Sequence, residues 1–218
     1  MKRADLLSEL ATRIAERSAD HPLRVAIDGV DAAGKTVLAD ELASLVSAAG
    51  RPVIRASIDG FHNSAAVRHR RGKLSPEGYY ADSFDYAGLT AALLEPLGPG
   101  GDGRYLTSLF DYRTDRPVTK EPAQAPPDAV LLFDGVFLLR PEVRHHWDYS
   151  IFVRAGFRVT LPRALERDLM LFDNVDGVRE RYERRYIPGQ ILYLAEAAPE
   201  DHATVVVDNN DPDDPFFS

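Results

Sequence analysis

The chain has 218 residues and a formal net charge of -8, from 26 lysines and arginines against 34 aspartates and glutamates. This length suits one α/β domain with a full core, and the acidic balance argues against a general nucleic-acid-binding surface, which would be basic. The absence of cysteine excludes disulfides, cysteine nucleophiles and thiolate metal sites.

The N-terminal region predicts a charged amphipathic helix rather than a targeting segment. Leu6, Leu10 and Ile14 fall on one face of a helix expected over residues 3–18, and no long apolar signal-peptide core is present. No run approaches the roughly 18 apolar residues of a membrane span. We therefore expect a cytoplasmic protein with neither a membrane nor a nucleic-acid partner, and the sequence is compatible with a homo-oligomer.

Residues 29–36, Gly-Val-Asp-Ala-Ala-Gly-Lys-Thr, match the P-loop (Walker A) pattern G-x-x-x-x-G-K-[ST] at every fixed position. A β-branched run at 23–28 precedes them, and a helical pattern at 36–46 follows. In this order backbone N–H groups close around a polyphosphate, and the helix N-terminus faces the same anion. The lysine adds charge at the terminal phosphates, and the threonine hydroxyl is placed to bind Mg²⁺. The predicted nucleotide-binding residues are Gly29, Asp31, Ala32, Ala33, Gly34, Lys35, Thr36 and Val37.

The rest of the chain alternates apolar runs with helical and polar segments. Strands are predicted at 23–28, 52–58, 129–133, 148–153 and 204–207. Their near-continuous apolar character favours a parallel sheet covered on both faces. Further helices are predicted at 85–95, 157–171 and 176–186. The remainder comprises a polar stretch at 59–83, a hairpin-like segment at 104–118 and an acidic tail at 208–215, which we expect to be a surface loop.

Three acids follow predicted strands, where the ligands of an open α/β sheet bind. Asp134 follows four apolar residues and suits the acid that orients Mg²⁺ or its water shell; the alternative is a turn cap beside Gly135. Asp59 suits the carboxylate that accepts the proton of an attacking hydroxyl; the alternative is a turn residue beside Gly60. Asp28, immediately before the P-loop, is expected to brace it.

Arginines are frequent in the later helical segments. Arg163 and Arg167 are four residues apart and point the same way on a helix. Phosphoryl transfer needs positive charge over the migrating group, often from a helix that closes on it. Acidic residues are interleaved, so a solvated, salt-bridged face is the alternative. The predicted catalytic residues are Lys35, Asp59, Arg163 and Arg167.

Four segments together resemble the phosphoribulokinase/uridine kinase family of P-loop kinases. They are the P-loop at 29–36, Asp-Gly-Phe-His at 59–62, Asp-Ser-Phe-Asp-Tyr at 82–86 and Phe-Asp-Gly-Val-Phe at 133–137. Their order and spacing cover roughly residues 23–170, and the set is much more specific than the P-loop alone.

The resemblance implies a catalytic aspartate at Asp59 and an acceptor-binding acid at Asp85. It also implies a small hairpin over the acceptor at 104–116, in which Phe110-Asp111-Tyr112 is similar to an aromatic-acid-aromatic segment of uridine kinases. The substrate-binding residues implied in this way are Asp59, Phe61, His62, Phe84, Asp85 and Tyr112, and the metal-binding residues are Thr36 and Asp134.

The acceptor hairpin departs from the uridine kinase pattern. Asp115 stands where uridine kinases have a histidine that helps read the pyrimidine, and Arg113 and Arg116 are added nearby. The Gly-Phe-His form after Asp59 is closer to pantothenate-kinase-like and sugar-kinase-like members. The resemblance therefore favours a kinase of a small hydroxyl compound more strongly than it favours uridine.

The sequence thus predicts an α/β fold, a P-loop NTPase three-layer sandwich with a mainly parallel sheet of about five strands. One domain spans residues 1–218, with an acceptor-binding excursion at about 60–120 and a lid at about 158–186. The expected activity is transfer of the γ-phosphoryl group of ATP, with Mg²⁺, to a hydroxyl of a nucleoside (uridine- or cytidine-like) or another small metabolite. The alternatives are a nucleoside monophosphate kinase and a non-kinase nucleotide-binding regulatory switch.

Overall fold

The computed structural model describes residues 2–168 and 175–218. The described strands are β1 (Leu23–Gly29), β2 (Val53–Ser57), β3 (Arg104–Tyr105), β4 (Phe110–Asp111), β5 (Arg116–Pro117), β6 (Ala123–Gln124), β7 (Val130–Asp134), β8 (Tyr149–Arg154), β9 (Val205–Asp208) and β10 (Phe216–Phe217). The described α-helices are α1 (Arg3–Ala15), α2 (Lys35–Ala48), α3 (Ala65–Arg68), α4 (Pro76–Asp82), α5 (Tyr86–Leu89), α6 (Phe157–Asp168), α7 (Val175–Arg181), α8 (Ile187–Ala197) and α9 (Pro199–His202).

Within the described residues, the central sheet has six strands in the order β10-β9-β8-β1-β7-β2. Its first five strands along the chain are parallel, and β10 pairs antiparallel with β9 at one edge. The register places Asp134 of β7 between Ile27 of β1 and Ser57 of β2. The carboxyl ends of these three neighbouring strands therefore meet at one edge, which is where an open α/β sheet binds its ligands.

Helices cover both faces of the sheet, as buried parallel strands require. On one face, apolar residues of α1 and α2 such as Leu10 and Leu42 pack on β1, β7 and β8. On the other face, α4, α5 and α8 contribute residues such as Tyr79, Leu89 and Tyr193 to a second core. The expectation of a three-layer α/β fold with a mainly parallel sheet of about five strands is confirmed.

Between β2 and β7 the chain leaves the sheet over the segment predicted to bind the acceptor, which is called the acceptor-side excursion below. A 3₁₀ turn, Ile58–Phe61, leads into α3, α4 and α5, and two small ribbons follow, β3 with β6 and β4 with β5. The β4–β5 hairpin is fixed to the 3₁₀ turn because the Leu109 N–H donates to the Gly60 carbonyl over 2.8 Å. A Cβ at Gly60 would lie 2.8 Å from the Thr107 oxygen and the Ser108 Cβ, so this close approach requires glycine.

Several local predictions were wrong. The stretch from 59 to 83 contains α4, which starts after the Ser75 cap, and α8 was not predicted. Pro188 lies in the first turn of α8, where proline is tolerated. The final strand β10 was also missed. Residues 169–171 of a predicted helix, and 169–174 of the predicted lid, lie outside the described residues.

Asp28, at the end of β1, joins the sheet to α8 and to the segment that follows β7. Its Oδ1 accepts a hydrogen bond from the Gly29 N–H (2.7 Å), and its Oδ2 accepts from the Leu139 N–H (3.1 Å) and from the Tyr193 hydroxyl of α8. The side chain is fully buried, and this desolvation raises the pKa of Asp28 to about 6 against the opposing effect of the Tyr193 and Gly29 hydrogen bonds. Asp28 thus braces the start of the P-loop.

Asp28→Asn should change the pH dependence of stability. Because the folded protein raises the pKa of Asp28 from 3.8 to about 6, its contribution is fully present below about pH 4 and is lost as pH rises through 6. The free energy of unfolding of the wild type, relative to Asp28→Asn, should fall by up to about 3 kcal/mol across that window. Urea denaturation between pH 4.5 and 7.5 measures the difference, and a constant or rising difference would contradict the assignment.

Candidate functional site

The P-loop forms the backbone cradle that its sequence predicts. It connects β1 to α2, with positive φ angles at Ala32 (56°) and Gly34 (100°). A Cβ at Gly29 would lie 2.4 Å from the Val153 carbonyl oxygen, and one at Gly34 would lie 2.6 Å from Asn209 Nδ2, so both glycines are needed for close packing. A loop of this kind before a helix N-terminus binds a polyphosphate through backbone N–H groups.

Lys35 begins α2 and is buried in the loop. Its Nζ donates to the Val30 carbonyl oxygen over 2.7 Å. Burial lowers the pKa of Lys35, whereas the carboxylates of Asp31, Asp28 and Asp134 oppose this effect. The ammonium group is therefore held among three acids at the loop.

Thr36 and Asp134, the two predicted metal-binding residues, lie in direct contact. The Thr36 hydroxyl donates to Asp134 Oδ2 over 2.6 Å, and Arg55 of β2 donates to Asp134 Oδ1 over 3.0 Å. The Asp134 side chain is only 5% exposed. Arg55 also binds Asp40 of α2, so it joins that helix to the ends of β2 and β7. A hydroxyl and a carboxylate oxygen are ligands that Mg²⁺ prefers.

Asp59 lies in the 3₁₀ turn after β2. Its side chain is 62% exposed, unlike that of Asp134. Partial desolvation raises the pKa of Asp59, and the charge of Asp134 adds to this effect, whereas Lys35, Arg167 and Arg113 oppose it. The charges of Lys35, Asp134 and Asp59 therefore act on one another.

Asp31, inside the P-loop, is clamped by two helices of the opposite layer. Its N–H donates to Gln190 Oε1 (2.8 Å), and Asp31 Oδ2 accepts from Gln190 Nε2 (2.8 Å) and from the Tyr79 hydroxyl (3.0 Å). Gln190 belongs to α8 and is 1% exposed, and Tyr79 of α4 is 7% exposed. Three hydrogen bonds thus fix the loop to elements that also border the acceptor side.

The acceptor-side residues implied by the family resemblance include a cluster of three rings. The His62 ring centroid lies 4.6 Å from those of both Phe84 and Tyr112. Burial lowers the pKa of His62 to about 4, so the ring is neutral at physiological pH. Since His62 Nδ1 lies 3.1 Å from the Asp59 carbonyl oxygen, Nδ1 carries the proton and donates it, which leaves Nε2 as an acceptor.

Phe61 and Asp85, which the family resemblance also implies as acceptor-binding residues, contact other residues of the protein. Phe61 is fully buried and packs against Phe133 (ring centroids 6.0 Å apart), so it belongs to the core and does not reach an acceptor. Asp85 caps α5, where its Oδ1 accepts from the Gly88 N–H over 2.8 Å. Within the described residues, no side chain donates to Asp85 Oδ2, so this oxygen is available to an acceptor hydroxyl.

The two predicted lid arginines have different surroundings. Arg163 donates to the backbone carbonyls of Asn209 (3.2 Å) and Asn210 (2.9 Å), so it supports the loop after β9. Arg167 binds Asp168 (2.7 Å) and Tyr182 (3.0 Å), and its charge acts on Lys35 and on the acids Asp31 and Asp59. The geometry therefore favours Arg167 over Arg163 for a role near transferred phosphate.

Sequence reasoning missed the residues that support the site from a distance. Asn209, in the predicted surface tail, is 5% exposed and donates to the Ala33 carbonyl of the P-loop over 2.7 Å. Gln190, Tyr79 and Arg55 were likewise not predicted. No local sequence pattern identifies these residues as part of the site. The available signal was a polar residue in an apolar segment, such as Gln190 between Ile187 and Leu192, which indicates a buried polar contact.

Tyr79→Phe should loosen the P-loop while keeping the core intact, because the ring still packs against Phe137. Removal of a hydrogen bond to the Asp31 carboxylate should weaken Mg-ATP binding about tenfold, or about 1.4 kcal/mol. Calorimetric titration measures the Kd. Tyr80→Phe on the same helix is the matched control, since Tyr80 also packs against Phe137 and, among the described residues, forms no hydrogen bond to the P-loop. Equal affinities of the two variants would contradict the clamp.

The described part of the chain contains no helix long and apolar enough to cross a membrane. No family model matches the chain. Uridine-cytidine kinase B of Dictyostelium discoideum is 25% identical over 189 residues, which cover 86% of this chain and 74% of that protein.

Solved structures show the same fold. A possible uridine kinase from Bacillus stearothermophilus superposes with a TM-score of 0.73 at 22% identity, covering 93% of this chain and 97% of that chain. A proposed fructose transport system kinase from Silicibacter sp. TM1040 superposes with a TM-score of 0.72 at 26% identity. The superposition covers 89% of this chain and 95% of that chain. The chain is therefore similar in sequence to a uridine-cytidine kinase, and its fold is similar to those of two proteins described as kinases.

Proposed function

We propose that this protein transfers the γ-phosphoryl group of ATP to a hydroxyl of a small molecule, either a nucleoside of the uridine or cytidine type or another small metabolite. The observation that carries the proposal is the position of Asp59. Its exposed carboxylate interacts electrostatically with Lys35 and with Asp134, the hydrogen-bond partner of Thr36. A phosphate site opposed by a carboxylate is the arrangement that a kinase of an alcohol needs.

The residues present fit a nucleotide and a magnesium ion. The P-loop backbone and Lys35 are suited to hold the phosphates. The oxygen atoms of Thr36 and Asp134, 2.6 Å apart, are suited to hold Mg²⁺ or its water shell. When bound, this ion neutralises charge that develops on the phosphate oxygens.

Asp59 is proposed as the general base. Its raised pKa makes it a better proton acceptor than an ordinary aspartate, while the positive charges of Lys35, Arg167 and Arg113 oppose the increase. In the proposed step, Asp59 accepts the proton of the acceptor hydroxyl as the oxygen attacks the γ-phosphorus. The P–O bond to ADP breaks, and ADP leaves as the second product.

The acceptor is proposed to lie between the His62–Phe84–Tyr112 rings and Asp85. Tyr112 offers a ring face, and the free Oδ2 of Asp85 offers an acceptor for a substrate hydroxyl. Arg167 is proposed to place positive charge over the transferred group, since its charge already acts on Lys35 and Asp59. Most of the rate enhancement then comes from positioning and electrostatics.

Asp59→Asn should retain Mg-ATP binding and lose phosphoryl transfer by at least about 100-fold, because the amide does not accept the proton. Transfer is followed as acceptor-dependent ADP release, and Mg-ATP affinity by calorimetry. Asp201→Asn, an exposed aspartate of α9, is the control and should behave as the wild type. Unchanged transfer in Asp59→Asn would reduce Asp59 to a turn residue.

A panel assay should distinguish the kinase from a regulatory nucleotide switch. ATP is supplied with uridine, cytidine, their monophosphates, pantothenate or sugars, and products are identified by mass. We expect ADP release to depend on the acceptor and to disappear in Lys35→Ala. Equal ADP release with and without every acceptor would favour the switch, and transfer only to monophosphates would favour a nucleoside monophosphate kinase.

A further inference from the structure

Four basic residues on the acceptor side converge around His69. These residues, Arg68, Lys73, Arg181 and Arg185, are called the cationic cluster below. Their charges act on the His69 ring and, together with its desolvation, lower its pKa. They come from two separate parts of the chain, the α3–α4 connection and the α7–α8 region. Such concentrated positive charge is costly unless an anion compensates it.

Arg185 is the most buried member of the cationic cluster, at 5% exposure. Its Nη1 donates to the carbonyl oxygen of Lys73 (2.8 Å) and its Nη2 to that of Arg68 (3.3 Å). Within residues 2–168 and 175–218, no carboxylate lies within ion-pair distance of its guanidinium. Carbonyl groups orient Arg185, but they do not neutralise it, and a buried unpaired charge is strongly destabilising.

Arg68 has an incomplete set of partners. Its Nη2 lies 3.3 Å from Asp115 Oδ1, an oxygen that also accepts from the Ala65 N–H over 2.7 Å. In the described part of the chain, Arg68 Nε is inaccessible to solvent and has no hydrogen-bond acceptor. A buried guanidinium N–H without an acceptor is unusual in a folded protein, so the hydrogen-bonding capacity of Arg68 is only partly used.

The cationic cluster borders the proposed acceptor site. Arg68 acts electrostatically on His62, which contacts Asp59 and Tyr112. Its partner Asp115 belongs to the same hairpin as Tyr112. Arg185 lies over the ring of Tyr79 (5.7 Å to the centroid), which donates to the P-loop.

The neighbouring arginines share a buried counter-ion, whereas the counter-ion of Arg68 is exposed. Arg70 and Arg71 both bind the carboxylate of Asp82, which is 1% exposed, with Arg71 Nε at 2.8 Å from Oδ2. Arg68 binds Asp115 over 3.3 Å, and the Asp115 side chain is 43% exposed. The three arginines of the run at 68–71 therefore divide into two that share a buried carboxylate and one whose carboxylate partner lies on the exposed hairpin.

We infer that the acceptor carries an anionic group, a phosphate or a carboxylate, which binds Arg68 and Arg185 of the cationic cluster while the acceptor hydroxyl faces Asp59. This inference rests on the proposed kinase function and narrows its acceptor class. It predicts that neutral nucleosides are poor acceptors and that small phosphorylated or carboxylated alcohols are good ones.

The first test measures anion binding without turnover. The protein is saturated with Mg²⁺ and a non-hydrolysable ATP analogue, which occupies the P-loop, and is then titrated calorimetrically with inorganic phosphate or acetate. We expect phosphate, acetate or both to bind, and Arg68→Gln to weaken that binding at least tenfold. Asp115→Asn should tighten it several-fold, because the amide still accepts from the Ala65 N–H but no longer competes for Arg68.

Two control variants distinguish the loss of the anion site from a loss of folding. Arg116→Gln, an exposed arginine of the same hairpin, should bind phosphate as the wild type does. Arg68→Lys should restore part of the affinity, because it keeps the positive charge. Absence of anion binding in the wild type, or equal binding by wild type, Arg68→Gln and Asp115→Asn, would overturn the inference.

The second test compares matched acceptors that differ in charge: ribose 5-phosphate with ribose, CMP with cytidine, and glycerate with glycerol. The phosphate and carboxylate pairs distinguish the two kinds of anion. We expect kcat/KM to favour an anionic member at least tenfold, and Arg68→Gln to abolish this preference with the KM for ATP unchanged.

Equal or better use of the neutral members would overturn the inference and leave the kinase function intact. If no acceptor is phosphorylated, the proposed function fails, and phosphate titration still decides the anion site.

Discussion

The buried ammonium of Lys35 is the interaction on which the arrangement of the site depends. Burial lowers the pKa of Lys35, and three carboxylates, those of Asp31, Asp28 and Asp134, oppose that effect. Each of these acids is in turn fixed by hydrogen bonds from other elements. Displacement of any acid therefore changes the charge balance at the phosphate-binding loop, and the site behaves as one electrostatic unit.

The central sheet and one of the two helical layers both hold the P-loop in place. From one edge of the sheet, Asn209 donates to the Ala33 carbonyl. From the opposite layer, Gln190 and Tyr79 hold Asp31, and Tyr193 holds Asp28. A loop with positive φ angles at Gly29, Ala32 and Gly34 has little intrinsic preference for its conformation, so these contacts supply the preorganisation that phosphate binding needs. Because α8 supplies two of these contacts, it links the phosphate loop to the acceptor side.

The arginines of the acceptor side divide into structural and available groups. Arg70 and Arg71 neutralise a buried aspartate, and Arg163 binds backbone carbonyls. Arg68 and Arg185 lack a full complement of anionic partners within the described residues. Charge count alone does not separate these groups, since the whole chain is acidic, with a net charge of -8. Local pairing decides which positive charges are able to recognise a ligand.

Short-range patterns in the sequence determined the P-loop, the strand that precedes it and the acids that follow β1, β2 and β7. These features depend on fixed spacing and on local periodicity, which a sequence displays directly. Local patterns did not predict the full burial of Phe61, because burial depends on packing across layers, which local spacing does not report. Only the tertiary structure decided the partners of Asp31 and Asp28, since Gln190 and Tyr193 lie 159 and 165 residues away along the chain. It likewise decided that Asp115 binds Arg68, 47 residues away, because hydrogen bonds between distant segments exist only once the chain has folded.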